Sequence, residues 1–439
     1  MLQGAEYIYI RMTEEIKDIK KAILCGASKN KDADFESSME ELKGLSIACG
    51  YECAGMVTQR LDHFDNATYI GPGKLFEIKE LLEETGADTV IFLNTLTPSQ
   101  LSNLADGLSA SVLDKTALIL EIFGERARSA EAKLQVEYAR LGYMLPRLRG
   151  LRKDLSRQGG AGGSMSNKGS GEKQIELDRR VIEKRMSELR KRLEQLEGAK
   201  RTKRRRRENS GLPLISLAGY TNAGKSTLLN KLVELYGADE EKRVEEKDML
   251  FVTLDTSTRR ISPKGHRDFL LSDTVGFING LPHELIKAFR STLSEIADSD
   301  LILQVVDCSD EEHLKHIQVT EDTLRELSAS GIPMIYVMNK ADKVYERHEL
   351  PKINGDHIFI SAKEGIGIEE LCGLIGEKLR EDMLSLELEI PYSDFSAEHF
   401  INTHAEVLKK EYTGSSIEIS CLIGRRYIKR IKEYIKLTP

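Results

Sequence analysis

Eight residues, Gly219-Tyr220-Thr221-Asn222-Ala223-Gly224-Lys225-Ser226, follow the apolar run Leu212 to Ala218 and open the helix-like stretch TLLNKLVEL that begins at Thr227. The spacing is GxxxxGK[ST] in a strand, loop, helix context, the requirement for a loop that grips a nucleoside triphosphate. Glycines let backbone N–H groups turn inward around a β-phosphate, and the helix N-terminus adds its positive end. Lys225 can reach the β- and γ-oxygens, and the Ser226 hydroxyl can ligate Mg²⁺.

The base is indicated further along, where MIYVMNKAD places Asn339, Lys340 and Asp342 just after a strand-like run. A carboxylate at Asp342 can accept from both N1–H and the exocyclic amine of guanine, whereas adenine leaves it unpaired. Ser361, Ala362 and Lys363 follow the apolar segment HIFI and are expected to close over the same base. A third element, DTVGF, runs from Asp273 through Thr274, Val275 and Gly276 to Phe277 after the strand DFLLS. Asp273 is the expected outer ligand of Mg²⁺ and the Gly276 N–H the expected sensor of the γ-phosphate. Four such motifs in this order define a GTPase.

A threonine that completes the metal shell in the triphosphate state must lie between Ser226 and Asp273. The segment LFVTLDTSTRR, with Phe251, Val252 and Thr253, is the candidate; Thr253 is favoured, with Thr256 and Thr258 as alternatives. Lys225, Thr253 and Gly276 are therefore the expected catalytic set. Phe277 stands where many GTPases carry a water-orienting glutamine, so slow intrinsic hydrolysis that depends on another water-positioning group or on a bound partner ordering the switches is expected. Asn222 offers an amide oxygen that could hold K⁺ near the phosphates, or serves simply as a tight-turn residue.

At 439 residues the chain has room for two to four domains. No apolar stretch approaches the length of a membrane span, and the opening MLQGAEYIYIRMTEEIK lacks the layout of a signal peptide. These features point to a cytoplasmic protein, compatible with peripheral membrane association. The six cysteines are scattered, and the close pair Cys49 and Cys53 has no His or Cys cluster to complete a metal site. None of the nine histidines is assigned to catalysis. The net charge of −7 conceals an asymmetry, because Arg126 to Arg207 holds 25 Lys and Arg against 10 Asp and Glu. A block of that density, ending in RTKRRRR, is suited to phosphates, and a solvated charged helix pair is the alternative.

These motifs sit within an expected α/β multidomain architecture. Residues 1–124 alternate strand-like runs (KAILCG, CAGMVTQ, DTVIFLN, SVLDKTALIL) with amphipathic helical stretches, the pattern of an N-terminal α/β domain with a mostly parallel sheet. Residues 125–209 are expected to form an antiparallel helical hairpin. One arm carries Leu134, Tyr138, Leu141, Leu145 and Leu148, and the other carries Ile175, Ile182, Met186, Leu189, Leu193 and Leu196, all at heptad spacing. The arms are expected over about 125–148 and 172–200, with the Gly-rich stretch Gly159 to Gly171 in the loop between them. That loop, with Gly159, Gly160, Gly162, Gly163 and Lys168, is flanked by Arg147, Arg149, Arg152, Lys153 and Arg157, a set suited to contacting RNA. The P-loop GTPase domain is expected over 210–383. A small C-terminal α/β domain is expected over 384–439, from LELEIPYS, a helical SAEHFINTHAEVLKKEY, SSIEISCLIG and RRYIKRIKEYI.

Taken together, ATYIGPGKL, LTPSQLSNL, the long block from Val112 to Leu148, GSGEKQIELDRR and the nucleotide motifs resemble the HflX family of ribosome-associated GTP-binding proteins. The resemblance covers nearly the whole chain. It implies a monomer that binds the large ribosomal subunit and its ribosomal RNA, brings the Gly-rich loop toward the peptidyl-transferase region, and splits or rescues stalled ribosomes. Two places depart from the family pattern: Lys168 and Ser170 stand where Arg and Pro are commoner, and LNTLTPSQ lacks the usual acidic residue. The alternatives are a GTP-regulated accessory factor that remodels or helps modify free RNA, and a signalling GTPase that recruits a protein partner.

Overall fold

The computed structural model describes residues 20–30, 34–158, 165–208, 211–237, 257–274, 276–279, 289, 295–381 and 383–436; within 149–158, 165–175 and 199–208, and at 426, only the backbone is described. The chain divides into two compact units. One comprises Met1–Glu194 with Gly280–Phe289, and the other Gln195–Asn279 with Arg290–Pro439.

In the first unit, β1 (Lys20–Ser28), β2 (Tyr51–Arg60), β3 (Thr89–Phe92) and β4 (Ser111–Asp114) form a parallel sheet in the order β2-β1-β3-β4. Parallel neighbours need crossover connections, here α1 (Phe35–Ala48), α2 (Pro72–Thr85) and α3 (Pro98–Leu108). Each helix starts or stops where its sequence demands. Pro72 stands at the N-terminus of α2 and Gly86 closes it at φ 68°, while Thr97 and Gln100 form a capping box at the head of α3. Ile23, Val90, Phe92 and Leu104 are buried in the core between sheet and helices.

One strand expectation is corrected. SVLDKTALIL is not a single strand: Ser111–Asp114 is β4, and the chain turns at once into α4 (Lys115–Arg126). The Asp114 carboxylate accepts the Ala117 N–H at 2.9 Å and caps the helix. Leu118, Ile119, Ile122 and Phe123 recur at helical spacing and are all buried.

The hairpin consists of α5 (Ala130–Gln158) and α6 (Met165–Glu208), both longer than the heptad pattern implies. Residues 165–171, expected in the loop, belong to α6, and the remaining loop residues 159–164 lie outside the described set. Arg185 of α6 pairs with Glu137 of α5 through two hydrogen bonds, of 2.7 and 3.1 Å. From Gln158 back to Glu137 and from Met165 on to Arg185 the arms are equally long, about 30 Å at 1.5 Å per residue, as an antiparallel return requires. Met186 packs over Gly142, and Leu189 is fully buried. A second face of α5, with Ala132, Gln135, Val136 and Ala139 buried, packs against α3 and α4, a contact the heptad seam did not announce.

The second unit holds a seven-stranded sheet in the order β10-β11-β9-β8-β5-β7-β6. Its strands are β5 (Leu214–Ala218), β6 (Ser257–Ile261), β7 (Phe269–Asp273), β8 (Leu301–Asp307), β9 (Met334–Asn339), β10 (Lys352–Asn354) and β11 (His357–Phe359). Only β6 and β10, at the edges, run antiparallel to their neighbours. Helices α7 (Lys225–Tyr236), α8 (His313–Glu326) and α9 (Ile368–Glu381) accompany it. Strand β5 is buried at every position, as a central parallel strand covered on both faces must be.

The small C-terminal sheet is antiparallel, β12-β14-β13, from β12 (Met383–Pro391), β13 (Ala405–Tyr412) and β14 (Ser416–Gly424). The helix expected through SAEHFINTHAEVLKKEY stops early: α10 covers Phe395–His404, and Ala405–Tyr412 is strand β13. A register shift between Val407 and Lys409 interrupts the alternation of β13 and hides its period. RRYIKRIKEYI forms only short turns around α11 (Ile428–Ile431).

Candidate guanine-nucleotide site

The loop after β5 takes its shape from two crowded glycines. Gly219 has φ 145°, and a side chain there would strike the carbonyl of Val305 on β8. Gly224 has φ 94°, and a side chain there would strike the Asn339 amide. Only glycine satisfies both the dihedral and the space. Asn222 also adopts positive φ, 60°, and is exposed. Asn tolerates that conformation well. Ala223 is buried beneath the loop, and Thr227 lies half-buried in the first turn of α7.

The DTVGF segment is laced to this loop. The Thr221 N–H donates to the Phe277 carbonyl at 2.8 Å, and the Phe277 N–H donates to the Gly219 carbonyl at 3.1 Å. The Thr274 hydroxyl donates to the Leu217 carbonyl at 2.6 Å. Phe277 is 1% exposed, so its ring belongs to the core and has no access to an attacking water. Tyr220 extends the tie: its hydroxyl accepts the Asn279 N–H at 2.8 Å, and its ring stacks on His316 of α8 with centroids 3.9 Å apart.

At the head of α7, Lys225 is buried, and its ammonium donates to the carbonyls of Gly219 at 3.0 Å and Tyr220 at 2.8 Å. Burial lowers its pKa to about 8, with the Asp273 carboxylate opposing that shift. The Ser226 hydroxyl donates to Asp273 Oδ2 at 3.1 Å, and Asp273 is fully buried. A hydroxyl beside a carboxylate is a set of hard oxygen donors, and the pair fits Mg²⁺, which takes few protein ligands and keeps phosphate and water for the rest.

The base-facing motifs come together on the adjoining strands. The Asn339 side chain donates to the Ala223 carbonyl at 2.9 Å and accepts the Ala362 N–H at 3.0 Å, joining the phosphate loop to the Ser361-Ala362-Lys363 turn. Ser361 is buried, and its hydroxyl accepts the Glu364 N–H at 3.3 Å. Lys340, at φ 60°, forms a 2.7 Å ion pair with Asp307 at the end of β8. Burial works to raise the Asp307 pKa, but hydrogen bonds from Lys340 and Ser309 outweigh it and hold the carboxyl below its ordinary range. Asp342 lies exposed on the single turn Ala341–Lys343, and Lys363 is also exposed.

Of the switch candidates, Thr258 lies in β6 opposite Ser272 of β7, whereas Phe251, Val252, Thr253, Thr256 and Val275 fall outside the described residues. Asp307 and the tie from Tyr220 to Asn279 escaped the sequence reading, since both act across strands distant in the chain. A strand-ending Asp ahead of the NKAD strand was the available signal for the first.

In the first unit, Arg147 is differently engaged from the expected RNA contact. Its guanidinium lies over the Tyr143 ring, 3.2 Å from the centroid, and pairs with fully buried Asp114 at 2.9 Å. The Tyr143 hydroxyl donates to the same carboxylate at 2.8 Å. Arg147 therefore pins α5 to the end of β4. Arg149, Arg152, Lys153 and Arg157 lie along α5 and Lys168 along α6, with only their backbones described, and Gly159, Gly160, Gly162 and Gly163 lie outside the described residues. Among the described residues no three His, Cys, Asp or Glu converge on a metal, and no helix is long and apolar enough to cross a membrane.

Comparison with known proteins places this geometry. Residues 36–124 match a family profile described as GTP-binding GTPase N-terminal, residues 126–207 one described as GTP-binding GTPase Middle Region, and residues 214–340 one described as 50S ribosome-binding GTPase. The chain is 38% identical to GTPase HflX of Caldanaerobacter subterraneus over 99% of its length and 100% of that protein. It is 36% identical to GTPase HflX of Escherichia coli over 85% of its length and 86% of that protein. A crystal structure of an SsGBP and GDP complex is 29% identical, covering 82% of this chain and 98% of that one with a TM-score of 0.46.

Proposed function

Because this chain belongs to the HflX family of GTPases, we propose that it engages the large ribosomal subunit and its RNA in the GTP-bound state, separates or rescues stalled ribosomes, and departs after hydrolysis. Binding and hydrolysis of GTP are the established part. The observation that carries the rest is the union, in one chain, of a nucleotide site with a strongly basic pair of helices 29 and 44 residues long. A ribosome-binding description also attaches to the family profile matching 214–340.

In this reading the backbone N–H groups of Asn222 to Lys225 cradle the β-phosphate, and Lys225 spans the β- and γ-oxygens. Asp342 reads guanine, while Asn339 and the Ser361-Ala362-Lys363 turn hold the base edge of the site in place. Ser226 and Asp273 hold Mg²⁺, with Thr253 completing the set; the ion supplies positive charge against the triphosphate. Asn222 adds a K⁺ site beside the phosphates, an assignment abandoned if turnover is identical in saturating Na⁺ and K⁺. The Gly276 N–H meets the γ-phosphate. Phe277 cannot itself orient the attacking water, so hydrolysis is slow until the ribosome orders the switch segments. The Gly-rich loop and its flanking Arg149, Arg152, Lys153, Arg157 and Lys168 contact RNA at the tip of the hairpin.

Sedimentation with purified subunits tests the proposal. Co-migration with the large subunit with a GTP analogue but not with GDP is expected. Partition onto free RNA would replace this reading with the RNA-remodelling one, and association with neither would replace it with the signalling one.

A further inference from the structure

Gly280–Phe289 belongs to the first unit, although the chain on either side of it, up to Asn279 and from Arg290, belongs to the second. Phe289 anchors it there. Its ring is 3% exposed and meets the ring of Phe123 on α4 edge to face, with centroids 5.0 Å apart and planes at 76°. Phe123 is itself buried, in the apolar row of α4 with Ile119 and Ile122. Two rings so placed gain both from leaving water and from the match of one edge to the other's face. The stretch just before this segment is fixed to the phosphate loop instead. Phe277 exchanges backbone hydrogen bonds with Gly219 and Thr221, and the Asn279 N–H donates to the Tyr220 hydroxyl at 2.8 Å. Phe289 lies ten positions after Asn279, so one short length of chain is tied to the nucleotide loop at its start and to α4 at its end.

We propose that Phe289 is a positioning residue for the GTPase: docked on Phe123, it favours the arrangement of DTVGF that receives the γ-phosphate, and so makes the preference for GTP over GDP depend on α4. The inference rests on the reading that Lys225 and Gly276 receive the end of the triphosphate. Its direction follows from what occurs together in the structure. With Phe289 docked, DTVGF lies so close to the loop that a Cβ built on Gly276 would stand 2.9 Å from Thr221 Cγ2 and 3.1 Å from Lys225 Nζ. Gly276 is thus already beside the amine. A contact present in that arrangement stabilises it, and the ligand that selects the arrangement is the triphosphate, since GDP brings no γ-phosphate to Gly276. By linkage, a GTP analogue tightens the seat of Phe289 by the same factor by which that seat tightens the analogue.

The experiment measures dissociation constants for a non-hydrolysable GTP analogue and for GDP in the full chain and in its Phe289→Ala and Phe289→Leu variants. Phe289→Ala should weaken the analogue by about 5- to 50-fold, within the range usual for coupling between sites, and leave GDP within about 2-fold. Leucine keeps much of the apolar volume, and its effect should be the smaller of the two. In the unaltered chain, amide hydrogen exchange of α4 should be slower by about 5-fold or more with the analogue than with GDP, a reading that needs no substitution. Equal weakening of both nucleotides, an unchanged preference, or equal exchange of α4 with both nucleotides would overturn the inference. A parallel Lys225→Ala variant separates this failure from that of the underlying site. Undiminished GTP binding there would sink the reading of the pocket itself, whereas an unchanged preference in Phe289→Ala beside a Lys225→Ala chain that has lost GTP sinks this inference alone.

Discussion

Filling the pocket with GTP should draw a proton onto Lys225. In the nucleotide-free site burial holds that lysine at a pKa of about 8, so roughly half the molecules carry it neutral at pH 8. A triphosphate beside the amine favours the ammonium and moves its pKa back toward 10 or above. Binding should then take up about 0.1 proton at pH 7, about 0.5 at pH 8 and about 0.9 at pH 9. Above pH 8 the apparent affinity should fall by up to about tenfold per pH unit, the linkage limit for one proton. The γ-phosphate contributes little there, since phosphate ester second ionisations lie near about pH 6. The assay is calorimetry with the GTP analogue in Tris and in HEPES, whose ionisation heats differ; the slope of observed heat against buffer heat counts protons. Zero slope at pH 8, or proton release, would refute the reasoning. The same group links pH to folding with a defined sign. Its folded pKa lies below the unfolded one, so the unfolded chain binds more protons between the two. Stability of the nucleotide-free second unit should therefore rise from about pH 8 to about pH 10.5, by about 3 kcal/mol at most, and the penalty is full and constant below that window.

Asn339→Ala removes the amide that bonds both Ala223 and Ala362; a loss of about 2–3 kcal/mol in urea unfolding is expected, together with weaker GTP and GDP binding. Asp342→Asn should cost about 100-fold in GTP affinity while the exposed position leaves Tm within a degree or two, a pairing that fluorescence titration and a melting scan would check together. Arg147→Ala strips the cation from buried Asp114 and should destabilise the first unit by about 3–5 kcal/mol without changing nucleotide affinity. Loss of GTP binding in that variant would contradict the assignment of Arg147 to anchoring α5.

The nucleotide motifs were legible because each is a short run whose chemistry is complete in itself. Lys225, Ser226, Asp273, Asn339 and Ser361 all meet around one loop in the folded chain, although Ser361 lies 136 positions after Lys225. The bonds that lace these runs together were not legible. The pairing of Lys340 with Asp307 and the stack of Tyr220 on His316 depend on strand order, which local spacing does not encode. Two element types were misread for local reasons. At Asp114 a strand becomes a helix with no intervening loop, so the apolar residues on both sides merged into one run, although the Asp cap was visible. In β13 the register shift next to Leu408 breaks the period of two and leaves a pattern that reads as helix. Arg147 looked free for RNA because its partner, Asp114, lies 33 positions earlier in the chain.

We propose that the ribosome completes a GTPase in which Phe277, buried in the core, cannot orient the attacking water. The rate of GTP hydrolysis with and without purified large ribosomal subunits tests it most directly. A slow basal rate that rises at least about tenfold with large subunits, and stays flat with small ones, is predicted. An unchanged rate at saturating large subunits would contradict the account.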